Sequence, residues 1–149
     1  MENGSVVRWG WLRAMYIYTL TGAGGFGLGM LAAPAAVQSL LGFPAQDPAM
    51  FKVYGCVLLA SGVLAVPALV FPLKFLAVLL LQLIYKPLWI ALAAVPLFLK
   101  GRFPMYIVTM TAVFLVYIVG DLIAIPWGYL FPKKETAGAA PDLAGGPSA

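Results

Sequence analysis

Two side chains in this sequence could do chemistry in surroundings that disfavour it. Lys86 sits inside LLLQLIYKPLWIALAAVP (79–96), and Asp121 inside AVFLVYIVGDLIAIPWGYLF (112–131). An ammonium and a carboxylate in such apolar stretches can form a buried ion pair, hold a headgroup or pass a proton. Gln82 precedes Lys86 by one helical turn, and Tyr117 precedes Asp121 by one, so each pair shares a helix face. If the chain reverses near residues 101–102, Lys86 and Asp121 are offset by roughly four residues, about 6 Å along the axis. A lysine side chain spans that offset, which makes Asp121 the expected counter-charge. Gln82, Lys86, Tyr117 and Asp121, with Trp89 above them, form the candidate intramembrane polar cluster. It reads as a structural pair, as a ligand or headgroup site, or as a seat of proton or catalytic chemistry. No second acid accompanies Asp121 in its stretch and the chain has no histidine. A proton relay is then incomplete, and no catalytic residue is assigned.

The cost of Lys86 follows from its depth. It lies about 18–21 Å from Lys74 and from Lys100 at the helical rise, near the middle of a bilayer. A lysine there costs about 2.5–3.5 kcal/mol on insertion scales. Pro87 adds a second irregularity, because it has no N–H to give the carbonyl of Leu83. The Lys86 ammonium is one donor that could serve that carbonyl.

The elements that must position these residues are visible in the composition. The chain has 149 residues, of which 63% are hydrophobic and only 9% charged. Soluble domains carry about 25% charged residues, so lipid is the expected surroundings and the bilayer span the unit of length. Charges mark out four spans, roughly 12–33, 50–71, 74–98 and 104–130. Long apolar runs without period-2 alternation indicate helices, not strands, and a helix satisfies its own backbone in hydrocarbon. The expected fold is all-α, an integral membrane four-helix bundle with antiparallel neighbours, because the links VFPLKF and KGRFP are short.

Three domains follow. Residues 1–11, with Trp9 and Trp11, form an N-terminal interfacial segment. Residues 12–132 hold the four-helix transmembrane domain. Residues 133–149, rich in Ala, Gly and Pro, form a disordered tail. The stretch AAVQSLLGF between the first two spans suits a short interfacial helix ended by Gly42. MLAAPAA resembles a signal-peptide cleavage region, but the apolar run before it exceeds the usual about 7–15 residues, so the first span is expected to remain.

GAGGFG (22–27) matches the dinucleotide fingerprint G-x-G-x-x-G, yet it lies inside an apolar span with no strand before it. Packing is the better reading. Tyr18, Gly22, Gly25 and Gly29 share one face of a regular helix, a smooth surface on which another backbone can lie. The single cysteine, Cys56, reads as a small hydrophobe and excludes dithiol chemistry within one chain. Without histidine the common haem and zinc ligands are missing, so no metal and no cofactor is predicted; a quinone or lipid ligand is compatible. Net charge is +4, but the basic residues scatter at span ends, where they meet lipid phosphates. Nucleic acid is therefore not an expected partner.

The glycine-rich first span, the LLGFP link, VYGCVLLASGVL, QLIYKPLW and GDLIAIPW together resemble the DoxX-like small bacterial four-helix membrane proteins, over residues 12–130. The resemblance implies a quinone-reductase accessory subunit or a protein of unassigned role, and carries over no catalytic residue. The expected function is a non-catalytic accessory or assembly subunit of a larger membrane complex, or a lipid- or quinone-binding protein. The alternative is a membrane enzyme or transporter acting on a lipophilic substrate or proton through Lys86 and Asp121. The bilayer, larger-complex subunits or a second copy of the chain are the partners in view, and the bacterial inner membrane is the expected location.

Arg8, Arg13, Lys74, Lys133 and Lys134 fall on one side of the expected topology, and Lys52, Lys100 and Arg102 on the other. This bias places both termini in the cytoplasm. In a Cys56→Ser background, Gln46→Cys is expected to react with an impermeant thiol reagent from the periplasm, and Ala140→Cys only after the membrane is opened. The reverse labelling pattern would invert the topology.

Overall fold

The computed structural model describes residues 7–131. The N-terminal six residues and the tail read above as disordered lie outside them. Among the described residues the chain is all helical, as expected. Helix α1 spans Trp9–Ala32, α2 Pro34–Leu41, α3 Pro48–Val70, α4 Pro72–Leu99 and α5 Met105–Ala124, and a short α6 spans Trp127–Leu130. Helices α3, α4 and α5 are each long and apolar enough to cross a membrane; α1 with α2, bent by 118°, make a fourth if counted together. The four long helices form a ring in which α1 and α4 each pack on both α3 and α5. Val57, Val63, Leu81, Ile84, Val116 and Val119 are exposed on its outside, an apolar surface suited to lipid rather than water.

Local chemistry sets the breaks. Ala33 leaves the helical region before Pro34 (φ −139°, ψ 60°), since a residue ahead of proline avoids helical geometry. Helix α2 ends on Gly42, whose φ of 66° suits a residue without a Cβ. The Phe43 N–H then returns to the Gln38 carbonyl at 2.9 Å, a Schellman closure. Gly101 (φ 66°) ends α4 the same way, with the Arg102 N–H on the Leu97 carbonyl at 3.0 Å. Helix α3 starts on Asp47, whose carboxylate accepts from the Ala49 and Met50 N–H groups at 2.9 and 3.0 Å, a standard N-cap. The fourth span does not run unbroken to residue 130. It stops at Ala124, because Pro126 forces Ile125 to extended geometry (ψ 123°).

Helix α1 is not regular. A wide π-helical turn occupies Thr19–Gly24. The buried stripe of α1 keeps helical spacing across this turn, through Leu12, Met15, Tyr16, Thr19, Ala23, Gly27 and Met30, with Gly24 beside it. This corrects the packing face read from the sequence: Tyr18, Gly22, Gly25 and Gly29 share a face, but the stripe that α1 buries lies on another side of the helix. Gly25 is exposed and a Cβ there would meet nothing within 4 Å, while a Cβ on Gly29 would meet only Val37 of α2, at 3.3 Å. Gly24 and Gly27 make the close approach instead, against α3. A Cβ on Gly27 would lie 2.7 Å from the Gly55 carbonyl oxygen, and one on Gly24 would lie 3.1 Å from the Gly62 Cα. Tyr18 and Gly22 belong to a different contact, with α5.

Gly27→Leu is expected to destabilise the protein by more than the about 1–3 kcal/mol typical of overpacking, because the obstacle is backbone. Gly25→Leu should be close to neutral. Thermal unfolding in detergent checks both, and equal effects would show that α1 does not pack on α3 through Gly27.

Candidate functional site

The sequence-selected polar residues meet where α1, α4 and α5 come together. Gln82 and Lys86 stand on the buried face of α4, one turn apart, and Tyr117 and Asp121 on that of α5. Lys86 is 1% exposed, and Gln82 and Asp121 are fully buried. The Lys86 ammonium donates to Gln82 Oε1. Gln82 Nε2 in turn donates to Thr19 Oγ1 on α1 at 3.0 Å. Each end of the amide thus has a partner, which orients it with its oxygen toward the cation.

The ammonium also rests on the Tyr117 ring, 3.2 Å from its centroid. An aromatic face attracts a cation, and does so more strongly where water is absent. Tyr117 is itself held by α1. Its hydroxyl donates to the Tyr18 carbonyl at 2.9 Å and accepts from the Ala23 N–H at 3.1 Å. These are two backbone groups of the wide turn, so the phenol is built into the ladder of α1. Tyr18 packs against the same ring at a tilt of 35°, centroids 4.3 Å apart. Gly22 leaves the room, since a Cβ there would strike the Tyr117 hydroxyl.

Asp121 behaves differently from the expected counter-ion. Neither of its oxygens has a hydrogen-bond partner, so the Lys86 ammonium is not bonded to it. Two nearer neutral groups, the Gln82 carbonyl and the Tyr117 face, hold the cation instead. The Leu83 carbonyl freed by Pro87 does not take the ammonium either. Trp89 packs edge-on to Phe114, centroids 5.1 Å apart. It lines a neighbouring cavity of about 260 Å³ with Met30, Phe43, Gln46, Met50, Phe51, Tyr54 and Met110. It therefore touches the surroundings of the cluster through Phe114 rather than covering Lys86.

Beside Lys86 lies a cavity of about 280 Å³. Tyr18, Tyr54, Tyr85, Lys86, Phe114 and Tyr117 line its interior, with Phe26 and Leu58 from α1 and α3. Val113, which also lines it, is exposed on the outside of the bundle. The volume is at the lower end of the range for small-molecule pockets, about 300–1,000 Å³. The Tyr85 hydroxyl is buried and has no partner. Sequence reading passed over Tyr85, Thr19 and Phe114. Tyr85 is the chain neighbour of Lys86, so one-turn spacing does not pair them, yet its ring centroid lies 5.3 Å from the ammonium. Thr19 stands on the buried stripe of α1 with Leu12, Met15 and Tyr16, but a single threonine in an apolar span did not stand out as a partner for Gln82.

Comparison of the chain with protein-family models, with characterised proteins and with solved structures finds no match.

Gly22→Ala is expected to destabilise the protein, because its methyl group meets the Tyr117 hydroxyl. Tyr117→Phe should cost about 1–3 kcal/mol through the buried Ala23 N–H and Tyr18 carbonyl it leaves behind. In the double variant the added methyl occupies the vacated space, so the two costs should fall short of their sum by about 0.5–3 kcal/mol. Additive unfolding free energies would show that the hydroxyl does not sit in the turn.

Proposed function

We propose that this chain is a four-helix integral membrane protein whose role is to bind a lipophilic molecule between its helices. The observation that carries this reading is the cavity of about 280 Å³ that includes Lys86 in its wall. Its other walls are mostly apolar and aromatic, the usual make-up of a small-molecule site: many apolar contacts and few polar groups that fix orientation. Val113 at its edge gives a lipophile a way in from the bilayer. A wall-lining cation at this depth is costly, and a ligand that accepts its hydrogen bonds offsets part of that cost. Lys86 would orient the head of the ligand, Tyr117 and Gln82 would hold Lys86 in place, and the aromatic walls would contact the body. The DoxX-like motifs in the sequence are compatible with this reading, since a quinone or lipid fits the same description. A catalytic role has less support, because the groups gathered here bind and orient without forming a nucleophile–base pair.

Mass spectrometry of the protein purified in mild detergent tests the proposal. A lipophile enriched over its share of the membrane extract is expected, and Lys86→Met should lose most of it while keeping its helical content. If the wild-type protein carries only lipids in their bulk proportions, the cavity is not a binding site.

A further inference from the structure

The two buried charges point to the kind of molecule that enters. Resting on the reading of the cavity as a lipophile site, we infer that its occupant is a lipophilic monoanion, a single-chain carboxylate whose head takes the Lys86 ammonium as counter-ion. Lys86 is 1% exposed, and the two groups that hold its ammonium, the Gln82 carbonyl and the Tyr117 ring, are neutral. An ammonium has three N–H donors, and one of them is spent on Gln82. Buried charges are ordinarily paired and hydrogen-bonded; Asp121 is near enough to act on Lys86 through space, but both its oxygens are without a donor, so it takes none of the ammonium's N–H groups. The groups facing Lys86 from the packed helices are Tyr18 and Thr19 on α1, Tyr54 on α3, Tyr85 and Gln82 on α4, and Tyr117 and Asp121 on α5. Apart from Asp121 these carry no negative charge at neutral pH, so a hydrogen-bonded counter-ion for the remaining donors has to come from outside.

The size and lining of the cavity narrow the class. A carboxylate is compact and accepts hydrogen bonds only, which matches an ammonium with donors to spare. A diacyl phospholipid head would bring several more oxygens into walls that offer them few partners, and each buried polar group without a partner costs free energy. The acyl chain has an apolar path, either outward past Val113 or onward into the adjoining cavity of about 260 Å³, which shares Tyr54 and Met110 with the first. A neutral acceptor such as a ring carbonyl would accept a hydrogen bond from Lys86 but leave its charge uncompensated.

The test uses three probes bearing the same fluorophore at the far end of the chain: a long-chain fatty acid, its methyl ester, and a phosphatidylglycerol. Binding to the full-length protein in detergent is read by anisotropy. The acid is expected to bind tighter than the ester by roughly tenfold or more, the worth of one hydrogen bond to a charged group. The phosphatidylglycerol should bind more weakly than the acid, and Lys86→Met should bind acid and ester alike. Equal affinity of wild-type protein for acid and ester would overturn the anionic assignment and leave the lipophile site standing. Phosphatidylglycerol binding as tightly as the acid would replace the single-chain carboxylate by a phospholipid head. If no probe binds, both the inference and the site fall. The acid–ester comparison needs no variant, so a Lys86→Met protein that does not fold leaves the question decidable.

Discussion

The phenol of Tyr117 inserted into the wide turn of α1 is the contact on which the interior depends. A turn that departs from the regular i→i−4 ladder leaves backbone groups to satisfy, and in an apolar interior each of them is expensive when unpaired. The Tyr117 hydroxyl bonds to one such group on each side, the Tyr18 carbonyl and the Ala23 N–H. That bond fixes α5 against α1. Along the same helix Gly24 and Gly27, and not Gly25, meet the glycines of α3. The same ring carries the Lys86 ammonium on its face. Register, helix packing and the placement of the buried cation thus share one side chain, and Gly22 is required because nothing larger leaves space for it.

What could be read from the sequence divides along physical lines. Helical class followed from hydrophobic run length, a property summed over about 20 residues per span and insensitive to detail. Gly42 was legible as a local breaker because its effect is written in its own backbone, whereas Pro126 was read through, since hydrophobic run length does not register a single proline near the end of a span. The polar residues Gln82, Lys86, Tyr117 and Asp121 stood out by type, and their one-turn spacing placed them in pairs on their helices. Their partners were not legible. Whether Lys86 bonds to Asp121, to the Leu83 carbonyl or to Gln82 depends on differences of a few ångströms in side-chain reach. The glycine face failed for a more particular reason. Small residues mark where another backbone could approach, not where one does. The stripe that α1 buries, Leu12, Tyr16, Thr19, Ala23, Gly27 and Met30, stands at regular helical spacing, and it runs on a different side from the glycine row. Tyr18 and Gly22 still meet α5 through Tyr117, whereas Gly25 faces no partner.

The manner in which Lys86 is held bears on what it is for. A lysine bonded to a buried carboxylate is a staple, because breaking such a pair leaves an uncompensated charge and costs about 3–5 kcal/mol. Lys86 is not held that way. An amide carbonyl and an aromatic face restrain it without neutralising it, and Gln82 is kept in the required orientation by Thr19. Neutral contacts of this kind position a cation while leaving its charge free to meet an incoming anion. Asp121, one turn along α5 from Tyr117, lies near enough to act on the ammonium through space, but neither of its oxygens receives a hydrogen bond. A hydrogen-bonded pair across the helices would be expected had register alone been the purpose. That the chain leaves the ammonium with donors unspent, and sets it in the wall of a cavity at the edge of the bundle, favours a site over a staple.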